Sequence, residues 1–326
     1  MRQALELAKP LPTQPLEQRR EKPLLARLVP HPATRPEFLS HPRFRRASAI
    51  THYTASAVLE AVAPFQQAFP GGRLGLILCL QSGCVQYSCR FYDETLRNPA
   101  TASPLLFPET VYAAPGSHVA ALLGNVTLVN SLVGDPSAFL QGLSLAAQWL
   151  ADERVDACMV VGAEETNWIT ADALWHLDRA AYISAGAGAV CLSANKKLSI
   201  GVELTAITDA HSYSSKQNRL QAAISMRHQL NGKPADNNTL LCDGLGDGSR
   251  ANAPEMLAWE DWKGPRLSPK QILGEGLMAA AAWQCVAACD AVANHRFKAA
   301  NVSLVGFNQQ AIGARLESVA ATTNSK

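Results

Sequence analysis

Charged residues are scarce in this chain, aromatic residues scarcer, and no uninterrupted apolar run is long enough to span a bilayer. At 17% charged and 48% hydrophobic, the 326 residues carry too little charge and too much apolar matter for a disordered protein, so a large buried core is expected. The stretch 277–293 comes nearest to a membrane span. It is largely alanine and contains Gln284 and Asp290, which reads as a buried globular helix. Net charge is close to absent as well, at +2, so the overall field selects neither nucleic acid nor a membrane surface. Lys9, Glu17 and the early prolines interrupt any secretory apolar region. Cys79, Cys84 and Cys89 are evenly spaced but match no zinc pattern and have no neighbouring histidine cluster. Most of the eight cysteines sit in apolar surroundings, as reduced thiols do. Together these absences point to a cytoplasmic protein with no metal, no cofactor, and no nucleic-acid or membrane partner.

What is present is unevenly distributed. Residues 1–50 hold ten basic and four acidic side chains and eight of the nineteen prolines, while the rest of the chain, with 19 basic and 23 acidic, is mildly acidic. No aromatic residue precedes Phe38 to stack on a base, so an extended, solvated lead-in over 1–42 accounts for this composition better than a nucleic-acid arm.

Beyond the lead-in the pattern is that of an α/β protein. Helical periodicity runs over 47–68, with Pro64 expected to kink or end its last turn. Leu74 to Leu80 reads as a strand buried on both faces. Four prolines between Arg90 and Pro115 suggest irregular chain, followed by a helix over 118–123 and a second buried strand over 126–133. Asp135 is a good N-cap and Pro136 suits a first helical position, so a helix is expected to continue from Ser137 to Leu150, apolar on nearly every side and therefore covered all round. Strands over 156–161, turning at Gly162, and over 188–192 complete this half. The second half repeats the theme, with a strand ending near Cys242, a glycine-rich turn, a buried helix over 275–293 and a final strand near 302–305.

The turn Asp243-Gly244-Leu245-Gly246-Asp247-Gly248 lacks the GxGxxG spacing, and its two carboxylates would repel a phosphate, so it reads as a close-packed turn and not a nucleotide site. Cys242 beside it reads as a buried strand residue.

Several strings in shared order resemble the β-ketoacyl synthase branch of the thiolase superfamily. Ala102-Ser103-Pro104-Leu105-Leu106-Phe107-Pro108-Glu109-Thr110-Val111 is similar to the segment ahead of that family's catalytic cysteine. Val155-Asp156-Ala157 and Val161-Gly162-Ala163-Glu164 are similar to the strand after its nucleophile helix. Asp243 to Asp247 resembles the family's His-Gly-Thr-Gly-Thr, Ser268 to Glu275 its Ser-x-Lys with a following Gly-His, and Gly306-Phe307 its Gly-Phe-Gly-Gly. The likeness covers about residues 43–320. It implies a layered αβαβα fold of two similar halves, 43–205 and 206–320, with a tail over 321–326.

The family's chemistry needs a cysteine nucleophile at a helix N-terminus and two histidines that assist decarboxylation. The resemblance puts Pro136 at the cysteine position, Asp243 at the first histidine and Glu275 at the second, and only Lys270 keeps the family's identity. Gly306-Phe307-Asn308-Gln309 loses the glycine pair after the gating phenylalanine. Proline offers no thiolate, and an ionised carboxylate repels the negative charge that a neutral imidazole would stabilise. The family's usual first strand is not recognisable in the Pro-rich segment, so either the sheet is one strand narrower or the lead-in has a role of its own.

The resemblance therefore implies a catalytically inactive homologue, a chain-length-factor-like pseudoenzyme. Such a subunit would form a heterodimer with an active β-ketoacyl synthase of a type II fatty-acid or polyketide system, one making aryl polyenes included, and meet acyl carrier protein through that complex. Gln81, Ser82 and Phe307 would line or gate the tunnel. Two other readings stand beside it. One is a thioester-dependent acyltransferase or hydrolase using Asp243, Glu275 or Ser137, although no histidine lies near Ser137 in sequence to act as its base. The other is a homodimeric acyl-binding or regulatory protein. Asp243 and Glu275, if both near Lys270, form either an ion-pair cluster filling the old site or a new acid/base pair.

Overall fold

The computed structural model describes residues 2–16, 24–195, 201–230, 237–247, 250–307 and 309–319. Gly248, Asn308, the tail 321–326 and part of the basic lead-in, Arg19, Arg20 and Lys22 among it, lie outside the described residues. In chain order the elements begin with α1 (Arg2–Glu6), β1 (Gln14–Pro15), β2 (Leu25–Arg27), α2 (Ala49–Ala68), β3 (Leu74–Leu80), α3 (Val85–Arg97), α4 (Ala114–Leu123), β4 (Val126–Val133), α5 (Ala138–Ala151) and β5 (Ala157–Glu164). There follow α6 (Trp168–Leu177), β6 (Ile183–Ser184), β7 (Gly186–Ser193), β8 (Val202–Ile207), β9 (His211–Ser212), α7 (Lys216–Gln229) and β10 (Thr239–Cys242). The chain ends with α8 (Ala253–Ala258), β11 (Arg266–Leu267), α9 (Pro269–Leu273), α10 (Met278–Ala293), β12 (Ala299–Val305) and β13 (Gln310–Ser318).

Two mixed sheets carry the fold. The first runs β4-β3-β5-β7, with β3 parallel to both β4 and β5 and β7 antiparallel to β5; the second runs β11-β10-β12-β13-β8, with β9 also paired to β13. Strand alternation explains how β3 serves two cores at once. Leu74, Leu76, Leu78 and Leu80 point to the core under α2 and α4, while Ile77 and Cys79 point to the core under α5. That second core also takes α10 and the inner face of the other sheet, through Cys242, Val302, Leu304 and Ile312. Helices α7 and α8 cover the outer face. The layers are thus α2/α4, sheet, α5/α10, sheet, α7/α8, the thiolase-like αβαβα order.

Several expectations are corrected by packing. Gly162 does not turn the chain: β5 runs through it to Glu164, and the missing side chain lets α10 approach, since a Cβ there would run into the Met278 carbonyl. Helix α2 continues past Pro64 to Ala68, because the Glu60 carbonyl that loses its bond lies on an exposed turn. The segment 90–115 is not uniformly irregular, because its prolines all follow Arg97 and leave α3 free to form. Strand β4 is an edge strand, with Val129 and Val133 44% and 56% exposed, instead of a fully buried one. Helix α5 leaves Gln141, Ser144 and Gln148 exposed and is not covered all round. The strand near Val305 is not final, since β13 returns antiparallel to it. β8 spans the 205/206 boundary and belongs to the second sheet.

The lead-in is also more than a solvated arm. β1 and β2 pair with each other and β2 with β6, and Ala26 and Arg27 are buried. Leu5 and Leu11 pack on the cluster of Ile272, Leu273 and Trp283. The first sheet is accordingly narrower than the second, and the N-terminal segment builds a small sheet of its own over the loop that precedes α10.

Candidate functional site

The resemblance singles out positions on four separate loops, and the second sheet brings three of them together. Asp243 follows β10 and is fully buried. Its Oδ1 accepts from the Ser268 hydroxyl at 2.6 Å and from the Leu245 amide at 3.2 Å, and Arg266 Nε lies 3.4 Å from Oδ2. Lys270, on α9, places its Nζ 2.8 Å from Glu275 Oε2, with both side chains more than nine-tenths buried. The other Glu275 oxygen accepts the Leu277 amide at 2.8 Å. Leu277 itself sits at φ +49° and ψ −118°, a positive φ costly for a branched side chain, and α10 starts three residues later than the pattern suggests. Lys270 also lies 5.6 Å from the centroid of the half-buried Phe307 ring.

Sequence reasoning missed two members of this cluster. Glu255 sits in the first turn of α8, where Asn252-Ala253-Pro254-Glu255 has capping-box spacing, but its carboxylate makes no cap and is buried between the turn after β10 and β12. Oε1 accepts from the Gly244 amide at 3.1 Å and from the Ser303 hydroxyl at 2.5 Å, and Ser303 in turn accepts from Trp259 Nε1 at 3.1 Å. Burial, and next the negative charge of Asp243, push the Glu255 carboxyl up to about 7. Asp243 is raised as well, chiefly by burial, with Ser268 and Arg266 opposing the shift. The second is Arg27 of β2, whose only sequence signal is an arginine inside the apolar run Leu24 to Val29. Its Nη1 donates to the carbonyls of Gln271 and Ile272, 3.2 Å from each, and so pins the loop carrying Lys270.

Arg27, Arg219, Glu255, Lys270, Glu275 and Phe307 line one cavity of about 20 Å³, room for about one water molecule. No cysteine or histidine is among its described lining residues. His118 pairs with Glu109 at 3.0 Å, but this buried pair lies against Phe44 in the first half and does not line the cavity.

Pro136 and Ser137 sit at the start of α5, both buried. The helix opens with a tight turn, in which the carbonyls of Asp135 and Pro136 accept from Ala138 and Phe139, and Asp135 Oδ1 accepts the Ser137 amide at 3.0 Å. The Ser137 hydroxyl donates to the same carboxylate oxygen. Asp135 Oδ2 takes the Gln309 amide at 3.2 Å, and Gly306 packs so close to this carboxylate that a Cβ would overlap it. Gln81 and Ser82 follow β3 and do not line the Lys270 cavity. Their amides donate to the buried Glu164, at 2.5 and 3.0 Å, as does the Ser82 hydroxyl. Glu165 joins the N-termini of two helices, accepting from Ile50 of α2 at 3.0 Å and from Gln86 of α3 at 2.7 Å. Cys242 is wholly buried, and burial raises its thiol far above the range of a thiolate at neutral pH.

Chemically, most of the site's carboxylate oxygens are engaged. Glu275 is paired with Lys270, Asp243 accepts a hydroxyl and an amide at Oδ1 while its buried Oδ2 has Arg266 at 3.4 Å and no hydrogen bond, and the hydroxyl of Ser137 is engaged by Asp135. Among the described residues there is no group of three or more side chains suited to hold a metal ion, and no helix is long and apolar enough to cross a membrane.

No protein-family model matches the chain, and no curated protein matches it by sequence. Solved structures do match. A β-ketoacyl synthase from Burkholderia phymatum STM815 aligns with TM-score 0.80 over 98% of this chain and 95% of its own, at 14% identity. The ishigamide ketosynthase/chain length factor aligns with TM-score 0.72 over 91% and 87%, at 16% identity. A type II polyketide synthase acyl-carrier protein in complex with its ketosynthase bound to the hexaketide aligns with TM-score 0.73 over 90% and 88%, at 12% identity. On this likeness the protein has the thiolase-like α/β fold of the ketosynthases.

Proposed function

We propose that this chain is a non-catalytic, chain-length-factor-type subunit that pairs with an active β-ketoacyl synthase in a type II fatty-acid or polyketide system, an aryl polyene system among the candidates. Acyl carrier protein is met through that complex. One observation carries the reading: a buried proline opens the helix at which the family places its nucleophile, and the acids at its two histidine positions are occupied by Lys270, Arg266, Ser268 and backbone amides. Decarboxylation builds negative charge at a thioester oxygen, and this arrangement offers a buried lysine already matched by a carboxylate and no neutral imidazole.

The enzyme reading finds less support. Ser137 is completely buried and its hydroxyl is bound to Asp135. A cavity of about 20 Å³ beside Lys270 is far too small for an acyl chain.

The outer edge of β4 supports the pairing, since its backbone groups on that side face no neighbour among the described residues and it exposes Val129 and Val133. Pairing there with the equivalent strand of a ketosynthase would continue the first sheet across the dimer. Co-expression with a cognate ketosynthase followed by size exclusion tests this. The wild type is expected to co-elute with its partner, and Val129→Lys is expected to abolish co-elution while leaving its own unfolding midpoint unchanged. Separate elution of the wild-type proteins contradicts the reading.

A further inference from the structure

The loop that carries Lys270 and Glu275 has two sides with different neighbours. Lys270, Gly274 and Glu275 line the cavity. Ile272 and Leu273, between them, join Ala279, Ala280 and Trp283 in an apolar floor outside it, and Ala4, Leu5 and Leu11 of the lead-in cover that floor. With the cover in place all five floor residues are more than nine-tenths buried. The Ile272 carbonyl is gripped twice from the lead-in, by the Leu11 amide at 2.9 Å and by Arg27 Nη1 at 3.2 Å.

The two grips are unequal. Arg27 is buried, and its strand β2 pairs with both β1 and β6. None of residues 4–16 is buried. Among the described residues, the one backbone hydrogen bond from 2–16 to the body of the fold is that of Leu11, since Leu16 bonds back to Leu24 within the lead-in. Helix α1 has five residues and β1 has two, too short for either to persist without packing. A segment with so little buried surface and so few backbone bonds opens at a small fraction of the global unfolding energy. The loop beneath it ends at Leu277, whose positive φ persists only while the surrounding packing holds it.

We propose that residues 2–16 form a strap that opens as a unit while the rest of the chain stays folded, and that its opening loosens the cavity wall at Lys270 and Glu275. Closed, the strap backs a wall around a cavity of about 20 Å³, room for about one water molecule. Open, it releases the Ile272 carbonyl from Leu11 and uncovers an apolar floor beside the buried Lys270–Glu275 pair. Arg27 keeps its own bonds to Gln271 and Ile272, so the loop is loosened and not lost. The strap acts within one chain, whether or not that chain pairs with a ketosynthase.

The test is hydrogen exchange of the purified full chain, read by mass spectrometry of peptic fragments. In the wild type, fragments from 2–16 are expected to exchange about a hundredfold or more faster than those of α10 and β12, at rates that low urea leaves nearly unchanged. Leu5→Asp/Leu11→Asp, which puts charge against the floor, is expected to speed exchange over 268–277 about tenfold or more while α10 and β12 keep their protection. Wild-type protection over 2–16 equal to that of the core overturns the proposal, because the segment would then open only with the whole fold. A double variant whose 268–277 fragments exchange as in the wild type overturns the link to the cavity wall. A double variant that loses protection in the core as well overturns the proposal equally, since the strap would then be part of the global unit.

Discussion

Glu164 and Glu165 close strand β5 in the first half, and Asp243 follows strand β10 in the second, with Glu255 and Glu275 near it. All five are buried, but they are satisfied in different ways. The first pair is held mostly by main-chain amides, those of Gln81 and Ser82 for Glu164, together with the Ser82 hydroxyl, and those of Ile50 and Gln86 for Glu165. These bonds tie a strand end to a loop and to two helix starts, which is a framework role. Each acid of the second group takes one main-chain amide and otherwise leans on side chains, with Lys270, Arg266, Ser268 and Ser303 as partners. The acids of the first half thus tie framework elements together, while those of the second belong to a side-chain network around Lys270 and Arg266.

The contrast can be broken most sharply at Lys270. Lys270→Met leaves Glu275 buried and unmatched and is expected to cost about 3–5 kcal/mol in urea unfolding, whereas Lys270→Met/Glu275→Leu recovers most of that loss. Recovery by the double variant is the signature of a structural pair. If the single variant is neutral, the pair is not what holds this loop.

Next in size is a pH effect in the first half. Burial raises the Glu164 carboxyl from its ordinary value of 4.5 to about 7, against the opposing bonds from Ser82, Gln81 and Met278. Between those two values the unfolded chain has released the proton and the folded chain still holds it, so stability falls as pH rises and levels off above about 7. The loss from this one group is about 3 kcal/mol, and Glu164→Gln is expected to flatten that part of the stability profile while lowering stability at acid pH. A profile of unchanged slope in the variant would remove Glu164 as its origin.

Smaller still is the effect of Ser268→Ala, which removes the 2.6 Å bond to Asp243 and is expected to cost about 1–3 kcal/mol in the same unfolding assay. The smallest expected change is no change at all. Pro136→Cys, with Asp243 and Glu275 left in place, is expected to release no carbon dioxide from a malonyl thioester, and measurable turnover would show that carboxylates can do what the account denies them.

Much of this molecule was legible in its sequence because its inner elements are strongly patterned. The all-apolar Leu74 to Leu80, the Asp135-Pro136 start before α5 and the alanine-rich stretch ending at Ala293 each signal an element that burial then fixes. Helix α3 escaped although its pattern is amphipathic, because the prolines that follow Arg97 drew its second half into the irregular stretch 90–115. Strands β1, β2, β6 and β9 are two or three residues long, too short to show a period of two. At the site, order along the chain identified Asp243, Lys270, Glu275 and Phe307. Arg27 and Glu255 reach the cluster through tertiary packing alone, Arg27 from a short strand with no motif and Glu255 from a short helix whose capping-box spacing points to a cap instead.

The central claim is that a chain with this fold and this refilled pocket works by pairing. The most direct measurement is native mass spectrometry of the protein co-expressed with active β-ketoacyl synthases from the same organism. The account predicts a one-to-one complex with one of them. A homodimer indifferent to every ketosynthase would contradict it.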